Sequence, residues 1–174
     1  MDYMCKYKSK IGNIIIVSDG ENLTGLWFEG QKYFLNLFDE CEENLEIFEK
    51  TKKWLDIYFS GNEPDFSIPV LFVGTEFRVK IWNILKEIPY GKVITYGDIA
   101  KKIAEEKGIK KMSAQAVGTA VGHNPISIIV PCHRVIGNNN NLTGYAGGLE
   151  RKKKLLELEG WDISKMIDPT QSKT

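Results

Sequence analysis

Cysteine and histidine are scarce in this chain: three of the former and two of the latter among 174 residues. Cys5, Cys41 and Cys132 are odd in number and far apart, which argues against a disulfide framework and for a reducing compartment. No CxxC pair occurs, and His123 and His133 do not supply the closely spaced ligands of a zinc site, so neither metal nor cofactor is expected. Long apolar runs are also missing. "IGNIIIV" and "ISIIV" are too short to span a bilayer, so no membrane association is expected. The stretch "MDYMCKYKSK" is charged throughout and lacks the apolar centre of a signal peptide. With 43% hydrophobic and 26% charged residues, the expectation is a cytoplasmic globular protein.

Net charge is zero, but the zero conceals a split. Residues 1–74 carry 7 Lys+Arg against 13 Asp+Glu, whereas residues 75–160 carry 14 against 8. An acidic half joined to a basic half points to a polyanion as the partner of the second half.

In the first half, "GNIIIVSDGENLTGLWFEG" reads as a β-hairpin turning at "SDGEN". A helical stripe of Leu45, Phe48, Leu55 and Phe59 follows between Glu43 and Phe59 and stops before Gly61. "GNEPDFSIP" reads as an extended linker. In the second half, Thr75 caps a helix whose apolar face is Phe77, Ile81, Ile84, Leu85 and Ile88, ended by Pro89. Thr95 and Asp98 form a capping-box start to a helix that turns Ile99, Ala100, Ile103 and Ala104 inward. After the basic loop "EKGIKK", Ser113 caps a short helix, "AQAVGTAV", that ends at Gly122. The pair looks like a helix-turn-helix. Its second helix is lined with small residues, and only Gln115 could read a base edge. Such a surface suits close approach to a backbone or a narrow groove better than sequence reading.

The chemistry concentrates in "IIVPCHRVIG", residues 128–137, which reads as the end of a buried strand. A thiol reacts as its thiolate, and an ordinary cysteine is only a few per cent ionised at neutral pH. His133 can accept the proton of Cys132, and Arg134 adds positive potential. Adjacent residues on a strand face opposite ways, so His133 reaches Cys132 only if the chain turns or through one water. A third group should orient the histidine, and Glu150, Glu157 and Glu159 are the nearest downstream carboxylates. Cys5 and Cys41 have no such neighbours and read as structural.

"PCHRVIG", preceded by "GHNPISIIV" and followed by "LTGYAGGLERKKKLLELEG", resembles the O6-alkylguanine-DNA alkyltransferases, also called methylated-DNA–protein-cysteine methyltransferases. "IPYGKVITYGDIA" and "AVGTAVGHNP" match as well. The resemblance is strong over roughly residues 75–160. It implies an α/β fold class: a small N-terminal α/β (ribonuclease H-like) domain at 1–72, then a mostly helical, winged-helix-like C-terminal domain with a helix-turn-helix at 73–165, then a tail at 166–174. It also implies irreversible, single-turnover transfer of an alkyl group from O6-alkylguanine in DNA to Cys132, with O4-alkylthymine a candidate second substrate. By the resemblance, His133 acts as base through water and Glu159 orients it. Asn124, Val130, Tyr145 and Ala146 serve the base pocket, while Tyr96, Gly97, Gln115, Arg134 and Asn138 contact DNA. The partner implied is double-stranded DNA, bound by a monomer with little sequence preference. Where many members carry an arginine that fills the gap left by the flipped base, this chain has Gln115.

Other readings are a non-enzymatic alkyltransferase-like lesion-binding protein, a helix-turn-helix regulator that senses methylation, and a cysteine hydrolase. The first lacks the cysteine present here, the second needs a separate sequence-reading module, and the third would turn over repeatedly.

Overall fold

Alternation of side chains across the pleat organises the first thirty residues. The structure, a computed structural model, describes residues 2–31 and 44–169. Strands β1 (Tyr3–Ser9), β2 (Gly12–Ser18) and β3 (Leu23–Phe28) form an antiparallel sheet in that order. Cys5, Ile14, Ile16, Leu26 and Phe28 point into the main core, while Met4, Ile15, Val17 and Trp27 cluster on the opposite face. The hairpin expected at "SDGEN" forms: Asp19 Oδ1 accepts the amides of Glu21 (2.9 Å) and Asn22 (2.7 Å). The helical stripe becomes α1 (Glu46–Phe59), which packs on β1 and β2 with Phe48, Leu55, Tyr58 and Phe59 buried. Cys41 and the expected start of this stripe at Glu43 lie outside the described residues.

The local start signals of the second half act as read. Thr75 caps α2 (Glu76–Lys86), and the Thr95–Asp98 box closes reciprocally at the start of α3 (Tyr96–Lys107). Ser113 caps α4 (Ala114–Gly122), and Gly108, at φ +67°, supplies the left-handed residue that ends α3. Helices α2, α3 and α4 pack together, and Trp82 Nε1 donates to the carbonyl of Ala120 at 2.9 Å. Strands β4 (Ile94–Thr95) and β5 (Val135–Ile136) pair in parallel, and α5 (Leu149–Leu158) closes the domain. No helix among the described residues is long and apolar enough to cross a membrane.

One sheet edge joins the halves. The Leu26 amide donates to Pro125 O (2.8 Å), and the Ser127 amide donates to Leu26 O (2.7 Å). At the other end of β3, Leu23 exchanges backbone bonds with Pro69, the last residue of the linker, and with Leu71 just after it. The segment leading to Cys132 is therefore docked on the N-terminal sheet.

Candidate active site

The expected buried strand at 128–130 is absent. Ile126 makes one bridge to Leu26, and residues 127–130 then turn. Ile128, fully buried, adopts φ +68°, a left-handed conformation that costs a β-branched residue about 1–2 kcal/mol. Asn124 staples this turn. Its Nδ2 donates to the carbonyls of Val130 (2.8 Å) and Ile126 (3.3 Å), and its Oδ1 accepts the Ile126 amide (3.0 Å). The chain then makes one 3₁₀ turn, Cys132–Arg134, which supplies the reversal that adjacent Cys and His side chains needed.

That turn places Cys132 and its two neighbours in different surroundings. Cys132, 6% exposed, borders a cavity of ≈350 Å³ together with Gln31, Tyr96, Asn124, Tyr145 and Ala146. His133 is fully buried, and its Nε2 lies 2.5 Å from Glu159 Oε2. The same oxygen accepts the Tyr58 hydroxyl at 2.6 Å. The other, Oε1, accepts Arg134 Nε at 2.8 Å and the Gly91 amide at 2.9 Å. Two donors on each oxygen fill the acceptor capacity of a carboxylate. Of the three candidate carboxylates only Glu159 is on the histidine, whereas Glu150 and Glu157 are exposed.

The electrostatics follow from burial and these bonds. Burial alone would push Glu159 up, but the bonds and charges of His133 and Arg134 outweigh it and hold the carboxyl at about 2. Burial lowers His133 against the pull of Glu159, so the imidazole stays neutral at neutral pH. Because the ionised carboxylate can only accept, Nε2 carries the proton and donates. Nδ1 is then an acceptor, and it has no hydrogen-bond partner. Burial pushes the Cys132 thiol up, opposed by Asn124, Lys152 and Tyr145. The thiol is therefore protonated in the resting protein and needs a base.

Tyr96, Gly97, Gln115 and Asn138, which α3, α4 and the loop after β5 contribute, border one shallow groove next to the cavity. Gln115 is exposed on the first turn of α4, and the Tyr96 hydroxyl is 3.3 Å from Thr143 Oγ1. Two expectations are corrected. Arg134 is 7% exposed and turned inward to Glu159 and the Ile88 carbonyl (2.7 Å), so its charge is spent inside and not on a phosphate. Val130 borders a different cavity, with Trp54, Phe66 and Tyr90, and not the one beside Cys132.

Three side chains at the site escaped the sequence reading. Gln31 reaches the cavity from the end of the N-terminal sheet. Lys152 is fully buried; its Nζ donates to Val135 O (2.7 Å), Thr143 Oγ1 (3.3 Å) and Gly144 O (3.3 Å), tying β5 to the loop that carries Tyr145 and Ala146. Burial brings its ammonium down to about 8. Its signal was available: Lys152 falls on the helix face of Leu155 and Leu156. Tyr58 carried no signal, since its partner is 101 residues away. Among the described residues no three His, Cys, Asp or Glu side chains converge as metal ligands.

Residues 3–72 match the family model of the 6-O-methylguanine DNA methyltransferase ribonuclease-like domain, and residues 76–161 that of its DNA-binding domain. A methylated-DNA–protein-cysteine methyltransferase of Methanosarcina acetivorans is 46% identical over 91% of this chain and 98% of its own length. One from Haemophilus influenzae is 44% identical over 90% of this chain and 86% of its own length. The crystal structure of Mycobacterium tuberculosis OGT in complex with DNA superposes with a TM-score of 0.78 at 38% identity, covering 94% of each chain. With both halves matched in order and relatives this similar along nine tenths of the sequence, the chain belongs to the 6-O-methylguanine DNA methyltransferase family.

Proposed function

We propose that this protein repairs DNA by taking the alkyl group of O6-alkylguanine irreversibly onto its own Cys132. The carrying observation is a cysteine at the wall of a base-sized cavity, followed directly by a buried His133–Glu159 pair with an open Nδ1. In the reaction the Cys132 thiol yields its proton through one water to His133 Nδ1. The thiolate sulfur attacks the alkyl carbon, an S–C bond forms, and the C–O6 bond breaks with its electron pair passing to the guanine. The proton held by His133 then returns to the purine. Glu159 stabilises the imidazolium meanwhile, as the third member of a triad does. A thioether has no leaving path back, so each molecule acts once.

Asn124, Tyr145 and Ala146 serve the base pocket, and the target reaches it by leaving the stack. Tyr96, Gly97, Gln115 and Asn138 face the duplex. The smooth α4 and the exposed 108–111 loop support binding through phosphates with little sequence preference. The reading includes domains at 1–72 and 73–165 with a tail from 166, a monomer, and a cytoplasmic setting. Incubation with a duplex containing O6-methylguanine is expected to add one methyl to the intact mass, located on Cys132. Cys132→Ala is expected to bind the duplex and accept nothing. Multiple turnover, or a methyl on Cys5 or Cys41, would overturn the reading.

A further inference from the structure

Tyr58 is among the largest fully buried side chains of the described residues, and the transfer steps above give it no task. It comes from α1, on the N-terminal domain. Its ring stacks on Trp54 at 5.4 Å and meets Tyr90 edge-on at 6.2 Å. A phenylalanine would make the same contacts. The hydroxyl adds only a buried polar group, which is costly unless it is paired. Its short bond is to Glu159 Oε2 (2.6 Å), the oxygen that also receives His133 Nε2.

We propose that Tyr58 is a positioning residue of the transfer site: its hydroxyl fixes Glu159, and through it the His133 tautomer that leaves Nδ1 free, so the N-terminal domain completes the active site. This rests on the reading that His133 and Glu159 activate Cys132. The hydroxyl is 3.4 Å from Nε2 and 2.6 Å from Oε2, so its proton goes to the carboxylate and does not compete for the imidazole. Sharing Oε2 between two donors also limits how strongly Glu159 holds a proton on His133. The other groups facing the pair are Arg134 from the 3₁₀ turn, Lys152 from α5, Tyr90 from the loop after α2, and Tyr145. Among these groups, Tyr58 alone donates to the oxygen that His133 uses.

The experiment is single-turnover transfer from a saturating O6-methylguanine duplex, followed from pH 5 to 9, for the full chain and for Tyr58→Phe, Glu159→Gln and the double variant. Tyr58→Phe keeps the ring packing and is expected to bind the duplex as the parent does. Its rate is expected to fall about tenfold, the equivalent of one hydrogen bond to a charged group. With Oε2 no longer shared, His133 becomes more basic, and the acid limb of the profile moves up by about half to one pH unit. In the Glu159→Gln background Tyr58→Phe is expected to add no comparable loss, because its effect passes through the carboxylate. An unchanged rate and profile in Tyr58→Phe, with Glu159→Gln slow, overturns this inference alone. Equal losses in both backgrounds also overturn it, showing a packing role. A full rate in Glu159→Gln overturns both this inference and the activation scheme beneath it.

Discussion

Replacing Glu159 by glutamine keeps the shape of the side chain and changes what its two ends can do. One end remains an acceptor and the other becomes a donor. Arg134 Nε and the Gly91 amide can only donate, so they claim the amide oxygen. The new NH₂ group then faces the Tyr58 hydroxyl and His133 Nε2, both of which can accept instead of donating. His133 satisfies it by moving its proton to Nδ1, and the lone pair meant for the Cys132 proton is lost. The site stays assembled in the wrong tautomer. Loss of an acid–base partner costs roughly 10²- to 10⁴-fold, with tautomer reversal in a triad at the upper end. Stability falls as well, since the Arg134 guanidinium loses its buried counter-charge. About 3 kcal/mol is expected, the low end for one partner of a buried pair because a hydrogen bond to the amide oxygen survives. For a chain of this size that lowers Tm by roughly 6–12 °C. Single-turnover transfer from O6-methylguanine duplex, with Kd and Tm measured on the same protein, separates the two effects. A Glu159→Gln protein with lowered Tm and undiminished rate would refute the tautomer argument and reduce Glu159 to a partner for Arg134.

Three further outcomes are expected. Ile128→Gly should be at least as stable as Ile128→Ala and by up to about 1 kcal/mol more so, reversing the usual order, because relief of the left-handed backbone, about 1–2 kcal/mol, outweighs the one buried carbon that glycine loses beyond alanine; urea melts that rank alanine higher would show no strain there. Gln115→Ala should weaken duplex binding and slow duplex repair while leaving transfer from free alkylated guanine base nearly unchanged, since only the duplex requires a flipped base; equal losses on both substrates would assign Gln115 to the fold. Glu159 is held at about 2 in the folded protein, below its ordinary 4.5, so its contribution to stability is complete above about pH 4.5 and disappears as pH falls toward 2. The stability gap between the parent and Glu159→Gln should therefore close over that interval, and a gap of constant size would contradict the depressed carboxyl.

What the sequence determined by itself is what short-range chemistry decides. The Thr95–Asp98 box, the Thr75 and Ser113 caps and the Asp19 turn each satisfy backbone groups within a few residues, so their effect is complete in the local sequence. The helical stripe of α1 and the small-residue surface of α4 are equally local. Cys132 stood out because a thiol beside a histidine and an arginine is chemically suggestive wherever it folds. The tertiary structure decided which way each of these groups faces. Residues 128–130 have the composition of a strand, but the docking of residues 125–127 on β3 and the Asn124 staple force a turn that propensity opposes. Arg134 reads as a surface charge, yet Glu159 and the Ile88 carbonyl together hold it inside. Lys152 goes inward because three oxygens meet at one point of the domain. Tyr58 meets Glu159 across 101 residues because the N-terminal domain packs α1 against the site. No periodicity within either segment encodes that meeting; it exists only once burial has brought the two domains into contact.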